Sequence, residues 1–125
     1  MLKSILIVGL GGFIGTVARF LISRYFQFNI ASVFPWGTFI INIVGCLLIG
    51  LIYGISEKSE LLSPEIRMFM TVGICGGFTT FSTFSNDAFL LVREQEWIRF
   101  ALYTSLSVFI GLMSVYLGRF ITKFI

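Results

Sequence analysis

Between Tyr25 and Ser56 the chain carries no charged side chain at all, and apolar runs of similar length lie on either side of that stretch. A hydrocarbon layer about 30 Å thick is crossed by roughly 20 mostly apolar residues in helical conformation. Four such runs fit: about Ser4 to Phe26, Trp36 to Ile55, Met68 to Val92 and Trp97 to Ile121. Arg19 and Arg24 interrupt the first. Ser63, Pro64 and Glu65 supply an N-cap, a proline at the first helical position and an acidic first turn, so the third helix is expected to begin near residue 65. The loops between the runs are too short to hold an extramembrane domain. The expected fold is therefore an all-α membrane protein, one domain over residues 1–125, with four transmembrane helices at about 4–26, 36–55, 65–92 and 97–122.

Composition excludes several alternatives. Apolar residues make up 57% of the chain and charged ones 12%, against about 45–50% and 25% in a soluble domain. The net charge of +3 comes from dispersed lysines and arginines, which reads as anchoring at the membrane edges and not as a nucleic-acid surface. Lys3 ahead of an apolar run resembles a signal peptide, but no small-residue cleavage site stands out and the run continues to Phe20, so a retained first helix is expected. Cys46 and Cys75 both fall within spans and far from any CxxC spacing, which assigns them to packing and not to a disulfide or zinc site. The chain has no histidine, which removes the commonest catalytic base and proton shuttle, and an enzyme is not expected.

With four spans the termini share a side. Lys3, Lys58, Arg67, Arg119 and Lys123 then face Arg24, Arg93 and Arg99 across the membrane. That bias is weak, and orientation follows the lysine and arginine difference, so insertion both ways up is expected. An antiparallel, dual-topology homodimer follows, in which two thin subunits line a polar pathway that one cannot enclose. Gly11 with Gly15, Gly50 with Gly54 and Gly73 with Gly77 form small-xxx-small pairs, read as close helix packing.

The third span holds the most informative segment, Gly73-Ile74-Cys75-Gly76-Gly77-Phe78-Thr79-Thr80-Phe81-Ser82-Thr83-Phe84-Ser85. Paired glycines followed by clustered hydroxyls lower helix propensity, so a break at membrane depth is expected, buried where protein can satisfy the freed backbone. Freed carbonyls near Gly76 and Thr79 suit a small hard cation such as Na⁺ shared across a two-fold axis. Phe81 and Phe84 share a helical face beside Thr80; each ring either packs against lipid or core, or presents its positive edge to an anion. Asn42 sits among isoleucines and valine, and must form an interhelical hydrogen bond or line a pore. Tyr103, Ser107 and Ser114 place hydroxyls on one face of the fourth span. Together with Ser82 and Thr83 these are neutral donors without a carboxylate, which suits an anion. Arg19 either snorkels or caps a neighbouring helix, or attracts anions at a vestibule.

Three segments resemble the small dual-topology fluoride channels of the Fluc/CrcB family. They are Gly11-Gly12-Phe13-Ile14-Gly15-Thr16-Val17-Ala18-Arg19-Phe20, Gly37 to Gly45 around Asn42, and Gly76 to Ser85. The resemblance extends over the whole chain in length, span count and motif order. It implies passive fluoride export across the bacterial inner membrane, with fluoride resistance as the outcome, by an antiparallel homodimer with two pores. By resemblance Phe81 and Phe84 line the fluoride path with edge-on rings, Asn42 donates to the ion, and Arg19 lies near a vestibule. Thr80, Ser82, Thr83, Tyr103 and Ser107 match a polar track, and carbonyls of Gly76 and Thr79 would hold a central structural Na⁺. Gly111 stands where the pattern leads one to expect a hydroxyl, and Thr16 and Phe20 depart mildly from the first motif. Two rivals remain. A proton-coupled small multidrug exporter needs an intramembrane carboxylate, for which only Asp87 lies near a span, and a non-transporting scaffold subunit leaves the broken span unexplained.

Overall fold

The computed structural model describes every residue from Met1 to Ile125, and the chain is entirely helical. Helix α1 spans Leu2–Asn29, a few residues further at both ends than the apolar run alone indicates, and α2 spans Trp36–Lys58, starting where expected and running three residues past Ile55. Helix α3 covers 64–78, followed by α4 at Phe81–Arg93 and α5 at Trp97–Ile121. Three continuous helices are long and apolar enough to cross a membrane: Leu2–Asn29, Trp36–Lys58 and α5 with its terminal 3₁₀ turn to Phe124, at mean hydropathies of 2.1, 2.3 and 1.7. The 13 residues of α4 reach only about 20 Å at 1.5 Å per residue. The third span is thus divided, as the glycine and hydroxyl pattern requires. The chain is a multi-pass membrane protein whose large apolar side chains, among them Phe13, Phe28, Phe109 and Leu112, point outward into the space that lipid fills.

The start of α3 follows its sequence signals. Ser63 Oγ accepts from the Ile66 amide at 3.2 Å, Pro64 opens the helix and Glu65 lies in its first turn. From Phe69 to Cys75 the turns widen into a π-helix, a form rare in helices and concentrated where function or close packing demands it. This widened stretch lies against α1. A Cβ on Gly11 would stand 2.6 Å from the Phe69 carbonyl oxygen and 2.8 Å from Gly73 Cα, so both glycines must lack a side chain for the two backbones to touch.

Helix α2 packs mainly on α5. Gly50 meets the Val115 carbonyl, and a Cβ on Gly118 would lie 2.6 Å from the Leu47 carbonyl oxygen and 2.7 Å from the Leu51 amide nitrogen. At the terminal end Arg119 Nη1 reaches Glu57 Oε1 at 2.6 Å, and Lys58 Nζ donates to the Thr122 carbonyl at 3.0 Å. The Arg119–Glu57 pair is exposed and contributes at most about 1 kcal/mol, and the part-buried lysine contact is a single hydrogen bond to one carbonyl. The glycine contacts hold this pair together.

Gly118→Leu is expected to force α2 and α5 apart at a cost of roughly 2 kcal/mol or more. Gly9→Ala, with nothing within 4 Å of the added carbon, should leave stability unchanged. Thermal melting of the detergent-solubilised variants checks both; equal melting points would show that the close approach is not needed.

Candidate functional site

The break between α3 and α4 consists of Thr79 and Thr80, both extended, with ψ of 158° and 126°. Extended residues cannot continue the helical hydrogen-bond ladder, and at membrane depth each unpaired backbone group costs several kcal/mol. Side chains take up the ladder's work. Asn42 of α2 donates from Nδ2 to the Thr80 carbonyl at 3.0 Å, while its Oδ1 accepts from the Thr80 amide at 2.9 Å. The Asn42 amide therefore pairs with the main chain of Thr80 as a second peptide would. Thr80 Oγ1 then N-caps α4 by accepting from the Thr83 amide at 3.2 Å, and lies 3.3 Å from Ser82 Oγ. Thr79 Oγ1 bonds back to the Cys75 carbonyl at 2.9 Å.

Arg19 of α1 donates from Nε to the Gly77 carbonyl at 3.1 Å. A guanidinium at the last turn of α3 satisfies an orphan carbonyl and meets the negative end of the helix dipole. The capping reading of Arg19 is the one the structure displays. The Thr79 carbonyl receives no hydrogen bond from the chain. Gly76, two residues before Phe78, lies at the protein surface.

Beside the break lies a cavity of about 300 Å³ between α2, α4 and α5, open on one side. It brings together Asn42, Thr79, Thr80, Phe81, Phe84 and Ser107, six of the residues singled out in the sequence. No charged side chain lines it. Asn42 has two N–H donors and spends one on Thr80, and the second has no partner within the chain. Ser107 Oγ is buried without any hydrogen-bond partner, an uncommon state for a hydroxyl inside a protein. Phe81, 78% exposed, stands at the open side with its ring centre 5.8 Å from that of Phe84.

The remaining hydroxyls lie around this cavity and do not line it. Ser82 and Thr83 are held on the first turn of α4 by Thr80. Tyr103 is completely buried behind Phe84, ring centres 5.0 Å apart, with its OH 3.4 Å from Asp87 Oδ2. Asp87 lines a separate cavity of about 260 Å³ with Thr38, Trp36 and Phe34. Ser114 is buried on α5. Three cavity residues escaped the sequence analysis: Ile49 and Val108, which supply apolar wall, and Cys46, one helical turn after Asn42, which was assigned to packing. Gly45, outside the cavity, lacks the Cβ that would collide with the Thr79 methyl. The four-residue spacing from Asn42 was the signal for Cys46; nothing local marked Gly45.

These features define a class: a helical multi-pass membrane protein with a divided span and an uncharged polar cavity at the division. The family model described as CrcB-like protein, Camphor Resistance (CrcB), matches residues 6–119, and the chain belongs to this family. It is similar to the fluoride-specific ion channel FluC of Flavobacterium psychrophilum, 43% identical over 122 residues that cover 98% of each chain. The FluC proteins of Phocaeicola vulgatus (40% identical, 98% of this chain and 100% of the relative) and Shewanella woodyi (43% identical, 94% of each) are similar over the same length.

Asn42→Ala should destabilise the fold by roughly 1–3 kcal/mol, because it strands the Thr80 amide and carbonyl away from water. Asn42→Asp, which keeps an acceptor but loses the donor, should fall between wild type and alanine in thermal melting. Identical melting of all three proteins would show that the break does not depend on this pair.

Proposed function

We propose that this chain is the subunit of a fluoride-selective channel that lets cytoplasmic fluoride leave passively through the bacterial inner membrane. The cavity at the divided span carries the proposal. Fluoride is small and strongly hydrated, so a selective path must replace its water with several donors at short range. The second Asn42 N–H, the unpartnered Ser107 hydroxyl and the Thr80 side chain supply neutral donors, and the rings of Phe81 and Phe84 supply positive edges. With no lysine or arginine in the wall, nothing traps the ion. The likeness to relatives named fluoride-specific ion channels, over almost the full length of both chains, supports the same substrate.

The path is completed by a second copy. Phe81 and the open side of the cavity face outward from the single subunit, and a second subunit in the opposite orientation covers them, giving an antiparallel homodimer with two pores. Ser82, Thr83 and Tyr103 extend the polar track beyond the cavity, and the guanidinium of Arg19 faces an entrance vestibule. A structural Na⁺ at the dimer centre is held by backbone carbonyls of Gly76 and Thr79. The free carbonyl of Thr79 fits this role, being a hard oxygen ligand with no competing donor. The physiological outcome is fluoride resistance, since fluoride enters cells as neutral HF and is held inside as the anion at neutral pH.

Purified protein in liposomes loaded with fluoride or chloride is expected to release fluoride rapidly and chloride negligibly, as read by ion-selective electrodes. Phe81→Ile and Asn42→Ala should each slow fluoride release by about tenfold or more, equivalent to about 1.4 kcal/mol on the limiting barrier. Absence of fluoride flux from well-reconstituted wild type would overturn the channel assignment in favour of a scaffold role.

A further inference from the structure

We propose that the Cys46 thiol is a functional donor on the ion path and makes this channel sensitive to thiol reagents. The inference rests on the channel reading above and adds a residue to it. Along α5, Tyr103 and Ser107 present hydroxyls four residues apart, and the next position on that face is Gly111, which has no side chain to offer. Opposite Gly111 stands Cys46 of α2. A Cβ built on Gly111 would have Cys46 Sγ as its single neighbour within 4 Å, at 3.4 Å. The sulfur thus faces the position where a side chain at residue 111 would begin.

Cys46 is half-buried and lines the same cavity as Asn42 and Ser107. It sits one turn beyond Asn42 on α2, so the Asn42 amide and the Cys46 thiol are successive polar groups on one wall. Ser107 forms the other wall with a buried hydroxyl that has no partner in the protein. An orphaned donor of this kind points to an occupant of the cavity, and an anion there has the Ser107 O–H on one side and the Cys46 S–H on the other. A thiol is a weaker donor than a hydroxyl. It therefore holds a hydrated anion less tightly and lets it move on toward Ile49 and the terminal end of α2. Cys75 offers the control: it is buried to 1% exposure in α3 and does not line the cavity.

The test combines substitution with modification in fluoride-loaded liposomes. Cys46→Val keeps the side chain's volume but removes the donor, and should slow fluoride release by about tenfold, whereas Cys46→Ser should conduct at least as well as wild type. Methyl methanethiosulfonate, whose S–S bond the deprotonated Cys46 sulfur cleaves to form a methyl disulfide and release methanesulfinate, should slow wild type and Cys75→Ser alike and leave Cys46→Ser unaffected. Cys46→Val conducting like wild type, or Cys46→Ser remaining as sensitive to the reagent as wild type, would overturn the proposal. The two readings fail separately: a wild type that passes no fluoride sinks the channel itself, while a conducting wild type indifferent to residue 46 sinks only the thiol's role.

Discussion

A helix opened in the middle of a membrane leaves backbone groups that lipid cannot satisfy, and the rest of this architecture answers that constraint. The Thr80 amide and carbonyl receive the two ends of one asparagine side chain from α2, and the Gly77 carbonyl receives an arginine from α1. Each partner arrives from a different helix, so neither half of the divided span can be satisfied by the hairpin it belongs to. The break and the bundle therefore form together. An apolar residue at position 42 leaves two backbone groups orphaned at once, which in a low-dielectric surrounding outweighs any gain from a better-packed methyl group.

Delivering those side chains requires that α1 and α2 come unusually close to the divided span, and glycine makes that approach possible. Gly15 lets α1 touch the Ile74 carbonyl, one turn before Arg19 reaches Gly77, and Gly45 lets α2 accept the Thr79 methyl, one turn after Asn42. The small residues and the polar residues thus work in register, since a bulkier residue at either glycine would lift the capping side chain out of hydrogen-bond range. The π-helical turns of Phe69–Cys75 serve the same end, widening α3 where it lies along α1. What reads as a general packing motif in the sequence is here the means by which specific hydrogen bonds reach their targets.

Much of this was legible before the structure. Hydropathy located the three continuous spans, α1, α2 and α5, because lipid imposes one length scale on all of them. The glycines and hydroxyls from Gly73 to Ser85 located the break because local propensity there disagrees with a helix. Ser63 and Pro64 marked the start of α3, and Asn42 announced itself as a buried amide needing a partner. Properties set by distant contacts were not legible. That the Asn42 partner is Thr80, that Arg19 caps α3 and that Cys46 turns toward the cavity all depend on how α1, α2 and α5 are rotated about their axes. Single residues do not fix that rotation; the glycine contacts summed along each helix pair do. The π-helix was invisible for a related reason, since Thr71 and Gly73 among apolar residues do not distinguish a π-helix from an α-helix.

The placement of charge completes the argument about what the cavity suits. The chain keeps two charged side chains near the break, and both are turned away from the cavity. Arg19 is bonded to the end of α3, and Asp87 lies behind Phe84 with Tyr103 in a different cavity. A carboxylate in the wall would repel an anion, and an arginine there would hold it, since at low effective dielectric a single charge at contact distance outweighs many neutral donors. Donors that are numerous, neutral and partly committed avoid both outcomes. Asn42 shows this most directly: one N–H is spent on structure and one remains, so the side chain cannot swing to follow an ion. In the channel proposed above, a donor fixed in place by its bonds to Thr80 would offer a contact of constant strength at a constant position, where a small anion could exchange water for protein without being captured.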